Sequence, residues 1–465
     1  MSIEAFGVTA QPDTEVSEVV EHPGEAGGLP AEHTPPSPSA EDSPATAEPF
    51  EPREAETLAE AGISEALLES LVFKLLLARG HQTGRGVARE LGTPGKPTLE
   101  LLSRLKSQQM VYYKDTAAMG DFNYALTEAG RERARKYVDE CSYVGRCPVP
   151  LEYYIESVRR QTIHTEQPGR AQLEQAFSDL LISETMFDKL GPAINSGRGL
   201  FLFGFPGNGK TSIAERITAC FGTDIWVPYA VVVDGEIIKF YDPENHVAAE
   251  DNRPALLRND GHDPRWVRIK RPTIVVGGEL TMAALELQYN QFTKITEPSV
   301  QLKSNCGTLV IDDFGRQRMN PDELLNRWIV PLEKRYDYLT LSNGKKIQVP
   351  FDQLIIFSTN LEPRDLVDDA FLRRIPYKIN VPDPTESEFR ELLGIMARRV
   401  KVEYHEEAVD YLIETHYRKA GRPFRACHPR DLLGQIIDRA AYRDDDPRMT
   451  TEAFDHAADN YFAVF

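Results

Sequence analysis

The sequence predicts an α/β protein whose centre is a parallel sheet. From Gly199 onward, short apolar runs alternate with helical patterns, as the strands and crossover helices of a parallel sheet require. After Pro384 the pattern is helical only. Before residue 143, three helical segments precede two strand-like runs. We therefore expect a central α/β domain between a small N-terminal domain and a helical C-terminal domain.

The N-terminal end differs in composition from the rest of the chain. The 465 residues carry a net charge of −19, and residues 1–60 hold fourteen acidic residues against the single base Arg53. This stretch has too few apolar side chains to offset the entropy of ordering. We predict a disordered acidic tail over residues 1–60, which serves either to solubilise the protein or to dock a partner.

Composition also indicates where the protein works. No apolar run approaches the length needed to cross a bilayer, so membrane insertion is not expected. The N-terminus lacks the basic start and apolar stretch of a secretory signal. The five cysteines form no Cys-x-x-Cys pair, which favours reduced thiols. These features predict a cytoplasmic protein.

Residues 61–142 are predicted to form a winged-helix domain. Ser64 is placed to cap a first helix that Gly80 ends, and two further helices and a hairpin follow. Residues 64–138 contain twelve Lys or Arg against eight Asp or Glu, a mild surplus for a phosphate-binding surface. Nucleic acid binding through residues 64–138 is possible, with Lys96, Arg104 and Lys106 as candidates, and docking of a protein is the alternative.

One motif in the central domain is typical of phosphate binding. The pattern G-x-x-x-x-G-K-[ST] follows a buried strand and precedes a helix, so backbone N–H groups can surround an anion at a helix N-terminus. The lysine is predicted to reach the outer phosphates and the threonine hydroxyl to bind Mg²⁺. The predicted ATP-binding residues are Gly204, Phe205, Pro206, Gly207, Asn208, Gly209, Lys210 and Thr211.

A second motif supplies paired carboxylates. An apolar strand at residues 308–311 ends in Asp312 and Asp313. A carboxylate at the carboxyl end of a strand beside the phosphate loop can hold Mg²⁺, and its neighbour can orient the attacking water. We assign Asp312 to the metal and Asp313 to the water.

Three weaker signals follow in the chain. Asn360 ends another apolar strand and can bond the γ-phosphate or the water. Arg373 and Arg374 form a pair, and arginine is the usual donor to a transferring phosphoryl group. Arg430 follows a proline that suits the first turn of a helix, which could aim it at the nucleotide.

Taken in this order, the motifs of residues 170–465 resemble the AAA+ ATPase superfamily. The resemblance identifies Walker A, Walker B, sensor 1, an arginine finger (Arg373 or Arg374) and sensor 2. A hairpin signal at residues 338–349, with an Asn-Gly turn, is similar to the pre-sensor-1 clade, which includes MoxR-like and chaperone-like bacterial ATPases. The implied domains are a linker at 143–170, an AAA+ core at 171–384 and a helical lid at 385–465.

The resemblance implies an ATPase that uses ATP and Mg²⁺, assembles into a ring, usually a hexamer, and remodels or assembles a protein partner. The alternatives are a winged-helix DNA regulator or motor and a nucleotide-gated scaffold with slow turnover. Asp313 stands where the family usually has Glu, which leaves the rate open.

The stretch between Walker A and Walker B is unusually long. It contains a hairpin signal around Asp234-Gly235 and a basic run of Arg265, Arg268, Lys270 and Arg271. The run is either a solvated strand edge or a contact with substrate. Residues 223–300 lack the aromatic-aliphatic-Gly triplet of threading unfoldases, which favours remodelling or switching.

Overall fold

A computed structural model describes residues 50–250, 261–366 and 369–463. Residues 1–49, which make up most of the predicted acidic tail, lie outside the described residues. Within the described ranges, no helix has both the length and the apolar character that crossing a membrane requires.

Residues 50–60, which the sequence assigns to the tail, pack against the rest of the protein. The ring of Phe50 lies 5.3 Å from that of Trp266. The backbone N–H of Glu54 donates to the carbonyl of Gly261 at 2.8 Å. The tail prediction does not hold for this stretch, because Phe50 supplies an apolar anchor that composition averaged over sixty residues conceals.

The N-terminal region consists of helices and a small antiparallel sheet. Its elements are α1 (Glu65–Arg79), β1 (His81–Thr83), α2 (Gly84–Leu91), α3 (Gly95–Ser107), β2 (Val111–Thr116), β3 (Phe122–Leu126) and α4 (Glu128–Glu140). The strands pair in the order β1-β3-β2. As expected, Ser64 and Thr127 cap α1 and α4 with their side chains. The sequence analysis did not predict β1, because a strand of three residues is too short to show an alternation of apolar and polar side chains.

The core of this region extends beyond it. Leu68, Leu71 and Leu102 are fully buried in one cluster with Ala230 and Ile237, which lie more than a hundred residues further along the chain. The N-terminal region and part of the later α/β region thus share one hydrophobic core.

The α/β region contains two sheets and two separate strand pairs. Its elements are β4 (Val149–Pro150), α5 (Leu151–Arg160), α6 (Arg170–Ala176), α7 (Glu184–Asn195), β5 (Leu200–Phe203), α8 (Lys210–Ile217), β6 (Ile225–Pro228), β7 (Val231–Val233), β8 (Glu236–Ile238), β9 (Trp266–Ile269), β10 (Thr273–Val276), β11 (Gln288–Asn290), β12 (Ile295–Glu297), α9 (Val300–Lys303), β13 (Thr308–Ile311), α10 (Pro321–Lys334), β14 (Tyr336–Thr340), β15 (Lys346–Pro350), β16 (Leu354–Thr359), α11 (Pro363–Leu366), α12 (Asp369–Arg374) and β17 (Tyr377–Asn380).

The central sheet has five parallel strands in the order β10-β13-β16-β5-β17. Helices pack on both faces, so the middle strands are largely apolar and almost completely buried. That is why the sequence revealed them as continuous apolar runs. The prediction of an α/β fold with a parallel sheet is confirmed.

A second sheet has the order β11-β12-β8-β7-β4. Four of its strands lie in the chain between β5 and β13, and β4 precedes β5, so we call it the inserted sheet. It contains the predicted hairpin around Asp234 and Gly235, whose strands β7 and β8 are antiparallel. Strands β6 and β9 form a separate antiparallel pair.

Strands β14 and β15 form the predicted hairpin between β13 and β16. The N–H of Gly344 donates to the carbonyl of Leu341 at 2.9 Å, and the N–H of Leu341 donates to that of Lys345 at 2.9 Å. Gly344 has a φ of +85°. This is a three-residue loop with glycine in the left-handed position, rather than a two-residue Asn-Gly turn.

The tip of this hairpin is bonded to the tip of the β7–β8 hairpin. One carboxylate oxygen of Glu236 accepts bonds from the N–H of Ser342 at 3.0 Å and from its hydroxyl at 2.7 Å. Lys345 forms an ion pair with Asp234 beside it. The inserted sheet is thereby tied to the chain segment that joins β13 to β16.

The C-terminal region is helical, as predicted. It comprises α13 (Glu386–Val400), α14 (Glu406–Leu412), a π-helical turn (Ile413–Arg418), α15 (His428–Arg443) and α16 (Thr451–Tyr461). Its core is separate from that of the central sheet and is filled by residues such as Phe389, Tyr417 and Phe454.

Arg265 and Arg271 of the basic run have a structural role that neither sequence-based alternative anticipated, whereas Arg268 and Lys270 are exposed, as expected for a solvated strand edge. Arg265 is buried, pairs with Asp263 at 2.7 Å and donates to the carbonyl of Ala61 at 2.7 Å. Arg271 donates to the carbonyls of Gln161 and Cys306. Both guanidinium groups satisfy buried carbonyls between chain segments, so they are neither a solvated edge nor available to substrate.

We predict that Arg265→Ala lowers the free energy of unfolding by about 3–5 kcal/mol, because it leaves the buried Asp263 carboxylate without its partner. Urea titration of the full chain measures the change. The matched control is Arg268→Ala, which removes a largely exposed partner of Asp224 and is expected to cost less than about 1 kcal/mol. Equal costs for the two variants would contradict a structural role of the buried pair.

Candidate functional site

The candidate phosphate loop connects β5 to α8 at the carboxyl end of the central sheet. Gly204, Gly207 and Gly209 have φ angles of +136°, +84° and +79°, which glycine adopts without strain. A Cβ on Gly204 would lie 2.4 Å from the carbonyl oxygen of Val381. Helix α8 begins directly after the loop at Lys210, so its N-terminus faces the space that the loop encloses.

Lys210 connects the loop to the end of β16. Its ammonium group donates to the carbonyls of Gly204 and Phe205 at 2.9 and 3.0 Å, and to the Oδ1 of Asn360 at 2.6 Å. Burial lowers the pKa of Lys210 below its ordinary value, and the carboxylates of Asp312 and Asp313 oppose this shift. The sheet thus brings together polar groups from three of its strands.

Asn360 bridges Lys210 and Asp313. Its Nδ2 donates to Asp313 Oδ1 at 3.0 Å, while its Oδ1 accepts from Lys210. Because lysine can only donate and an ionised carboxylate can only accept, both partners require the same orientation of the amide.

Asp313 has a strained backbone. Its φ is +49°, in the left-handed region, which Asp tolerates better than most side chains. Such strain is concentrated at functional sites. Directly after it, the N–H of Phe314 donates to the carbonyl of Ser358 at 2.8 Å, which fixes this turn to β16. The position of Asp313 is therefore fixed by the backbone bond of the next residue and by the bond from Asn360 to its carboxylate.

Thr211 and Asp312 form a separate pair. The threonine hydroxyl donates to Asp312 Oδ2 at 2.8 Å, so two oxygen ligands lie side by side. Mg²⁺ prefers oxygen ligands and usually keeps waters and phosphate oxygens in its shell. The described ranges hold no group of three or more His, Cys, Asp or Glu able to bind a metal. The pair fits a magnesium ion that is bound together with a nucleotide.

The two arginines of the predicted finger lie on α12. Arg374 Nε donates to Glu333 Oε1 at 2.7 Å. Arg373 is exposed and lines a cavity of about 920 Å³ together with Phe203 and Lys378. Phe203 immediately precedes the phosphate loop, so the cavity adjoins the base of that loop.

The third predicted arginine, Arg430, is placed differently from expectation. It lies in the first turn of α15, after Pro429, as the sequence indicated. Its side chain is 72% exposed, and its Nε donates to the adjacent Asp431 at 2.8 Å. The structure instead places Arg425 against the phosphate loop, with its guanidinium carbon 4.3 Å from the centroid of the Phe205 ring.

Asp383 is a further site residue that the sequence analysis missed. Its Oδ1 accepts bonds from Asn208 Nδ2 at 2.7 Å and from Arg425 Nη1. A signal for it existed, because Asp383 follows β17, and the carboxyl ends of parallel strands meet at one edge of a sheet. For Arg425 the sequence offers no comparable signal, since an arginine in a loop has many uses.

Comparisons with known proteins give little beyond this geometry. Residues 385–460 match a family described as a domain of unknown function, DUF8689. No curated protein sequence matches the chain.

Similar solved structures include NtrX from Brucella abortus in complex with ADP, at 16% identity over 61% of this chain and 56% of that one, with a TM-score of 0.37. They also include the Thermotoga maritima RuvB Holliday junction branch migration motor, at 16% identity over 63% of this chain and 69% of that one, with a TM-score of 0.32. The chain spans little more than half the length of NtrX. Structural similarity this low does not indicate a function for the chain.

We predict that Gly204→Ala destabilises the nucleotide-free protein more than Gly209→Ala. Both variants force alanine to a positive φ, which costs about 1–2 kcal/mol. Only the Cβ at 204 also meets a backbone carbonyl, because nothing lies within 4 Å of a Cβ at 209. Thermal unfolding without nucleotide measures the difference. An equal or larger loss for Gly209→Ala would show that the close approach of Val381 does not constrain the loop.

Proposed function

We propose that this protein is an ATPase of the AAA+ superfamily that binds ATP on the loop at residues 204–211 and hydrolyses it. One observation supports the proposal above all others. The side chains of Lys210, Thr211, Asp312, Asp313 and Asn360, which belong to three distant parts of the sequence, form two bonded groups at one end of a parallel sheet.

In the proposed site, the loop and Lys210 bind the phosphates, since backbone N–H groups and one buried ammonium face them together. Thr211 and Asp312 would hold Mg²⁺, which neutralises charge on the phosphates when it is bound. Asp313 orients the attacking water and accepts its proton. Asn360, through its bond to Asp313, fixes the direction of that carboxylate.

We predict that Asp313→Ala lowers the rate of ATP hydrolysis by about 10²–10⁴-fold while ATP affinity changes little, because the residue acts on the water and not on the phosphates. Lys210→Ala is expected to lose binding itself. Phosphate release at steady state and ATP titration separate the two effects.

Two further variants complete this test. Asp313→Glu, which restores the residue usual in the family, should retain turnover, and Glu132→Ala on the exposed face of α4 should behave as wild type. Full turnover in Asp313→Ala would contradict the assigned role. ATP binding by the wild type without phosphate release would favour the nucleotide-gated scaffold.

We further propose a ring of subunits, with six expected from the resemblance, in which Arg373 or Arg374 completes the site of a neighbour. A residue that acts on a neighbouring subunit suits a head-to-tail interface, and such an interface forms a ring when its rotation closes. The exposed position of Arg373 suits this role, and Arg374 would have to leave Glu333. A protein partner to be remodelled is part of this proposal, as is the similarity to MoxR-like and chaperone-like ATPases.

Mixing subunits tests this proposal. We predict that Lys210→Ala and Arg374→Ala chains, each inactive alone, recover part of the ATPase activity when mixed, because some interfaces then contain both intact residues. Arg373→Ala is tested in parallel. Mixtures of Lys210→Ala with Asp313→Ala are the control, since every site in them carries a defect. Failure of all mixtures with the arginine variants would remove the support for completion between subunits.

For the N-terminal domain we propose a protein-facing role rather than DNA binding. In helix-turn-helix proteins the start of the recognition helix reads the bases. Here Gly92, just before α3, lies against Arg265 and Pro264. Of the candidate bases, Arg104 pairs with Glu65, and Lys106 lies 3.9 Å above the ring of Tyr113. Two of the three candidate bases thus have partners within the chain, which favours contacts with protein, whereas Lys96 at the start of α3 is exposed.

A further inference from the structure

The loop before α15 rests directly on the phosphate loop. The N–H of Cys427 donates to the carbonyl of Gly207 at 2.9 Å, and the N–H of Ala426 donates to Asn208 Oδ1 at 3.3 Å. A Cβ on Gly207 would lie 2.5 Å from the sulfur of Cys427. These contacts place residues 425–427 of the C-terminal helical region at the mouth of the candidate ATP site.

Arg425 is the charged side chain of this contact. Its side chain is only 15% exposed. The guanidinium lies over the face of Phe205, a geometry that stabilises a cation near an aromatic ring. Its positive charge also contributes to the lowered pKa of Lys210, after the larger effect of burial. Arg425 therefore acts electrostatically on the lysine that reaches the outer phosphates.

Asp383 holds Arg425 in this position. One oxygen of its carboxylate accepts from both Arg425 and Asn208, so a residue after β17 joins the phosphate loop to the helical region. Arginine has five N–H donors. The bond to Asp383 uses Nη1, so the guanidinium can hold Asp383 and a phosphate oxygen at the same time.

Arg430 lacks these features. It is mostly exposed, and its guanidinium pairs with Asp431 on its own helix turn. Asp431 in turn accepts a bond from Tyr461 at 2.9 Å, which fixes that carboxylate to α16. The Pro-Arg motif therefore places Arg430 in the first turn of α15. The contact with the phosphate loop is made by Arg425.

We propose that Arg425, rather than Arg430, is the arginine through which the C-terminal helical region contacts the terminal phosphate of bound ATP, and that Asp383 positions it. The inference rests on the proposed ATP site. The chemistry is suitable, because a planar guanidinium bonds phosphate oxygens in pairs and with charge assistance.

The test compares ATP and ADP affinities of the full chain, measured by calorimetric titration in the presence of Mg²⁺. Arg425→Gln keeps a donor for Asp383 but removes the charge. We expect it to weaken ATP binding about tenfold or more while ADP affinity changes less than about threefold, since a charge-assisted hydrogen bond to the terminal phosphate is lost. Arg430→Gln is the matched control and should leave both affinities within about threefold.

Two more variants address positioning. Arg425→Lys keeps the charge without the planar fork and should fall between wild type and Arg425→Gln. Asp383→Asn should also reduce the preference for ATP over ADP, because it weakens the bond that positions Arg425. Circular dichroism and thermal unfolding of each variant confirm that it is folded.

The outcomes separate this inference from the proposed function. A wild type that binds ATP, together with an Arg425→Gln variant that binds both nucleotides normally or weakens both equally, overturns the assignment of Arg425 alone. A larger loss of ATP preference in Arg430→Gln also overturns it. A wild type that does not bind ATP overturns the proposed function and this inference with it.

Discussion

The bond between Lys210 and Asn360 is the interaction on which the candidate site depends. It joins residues 150 positions apart and is possible only because β5 and β16 are neighbours in the central sheet. The bond from Thr211 to Asp312, across 101 positions, depends in the same way on β13 as the next strand. The order of strands is therefore what converts separate motifs into one site, and the surrounding hydrophobic core exists to maintain that order.

The parts of the fold that could be predicted are those with local signals. The phosphate loop has a fixed spacing, and β5, β13 and β16 are apolar runs because both faces of the sheet are covered. Caps such as Ser64 and Thr127 act within a single helical turn. By contrast, the order of the strands and the inserted sheet depend on pairings between distant residues, which no local pattern encodes.

Polar and charged residues of the site and the core divide in the same way between local signals and distant contacts. Asp312, Asp313 and Asn360 could be found because each follows an apolar strand. Arg265 and Arg271 were misjudged because burial of an arginine depends on carbonyls elsewhere in the chain, such as those of Ala61 and Gln161. The motif around Arg430 predicted its place on a helix, but the direction of a side chain is decided by its neighbours. Asp431 pairs with Arg430, and Asp383 pairs with Arg425.

Ala230 and Ile237 belong to the hydrophobic core of the N-terminal region. The boundary that the sequence suggests near residue 143 is therefore not a boundary between separate hydrophobic cores. Removing everything before residue 143 would uncover apolar side chains of the inserted sheet and take the Ala61 carbonyl away from Arg265. The N-terminal region and the inserted sheet are thus parts of one packed body. Through Glu236 and Ser342 the same body is bonded to the segment between β13 and β16, the two strands that Asp312 and Asn360 follow.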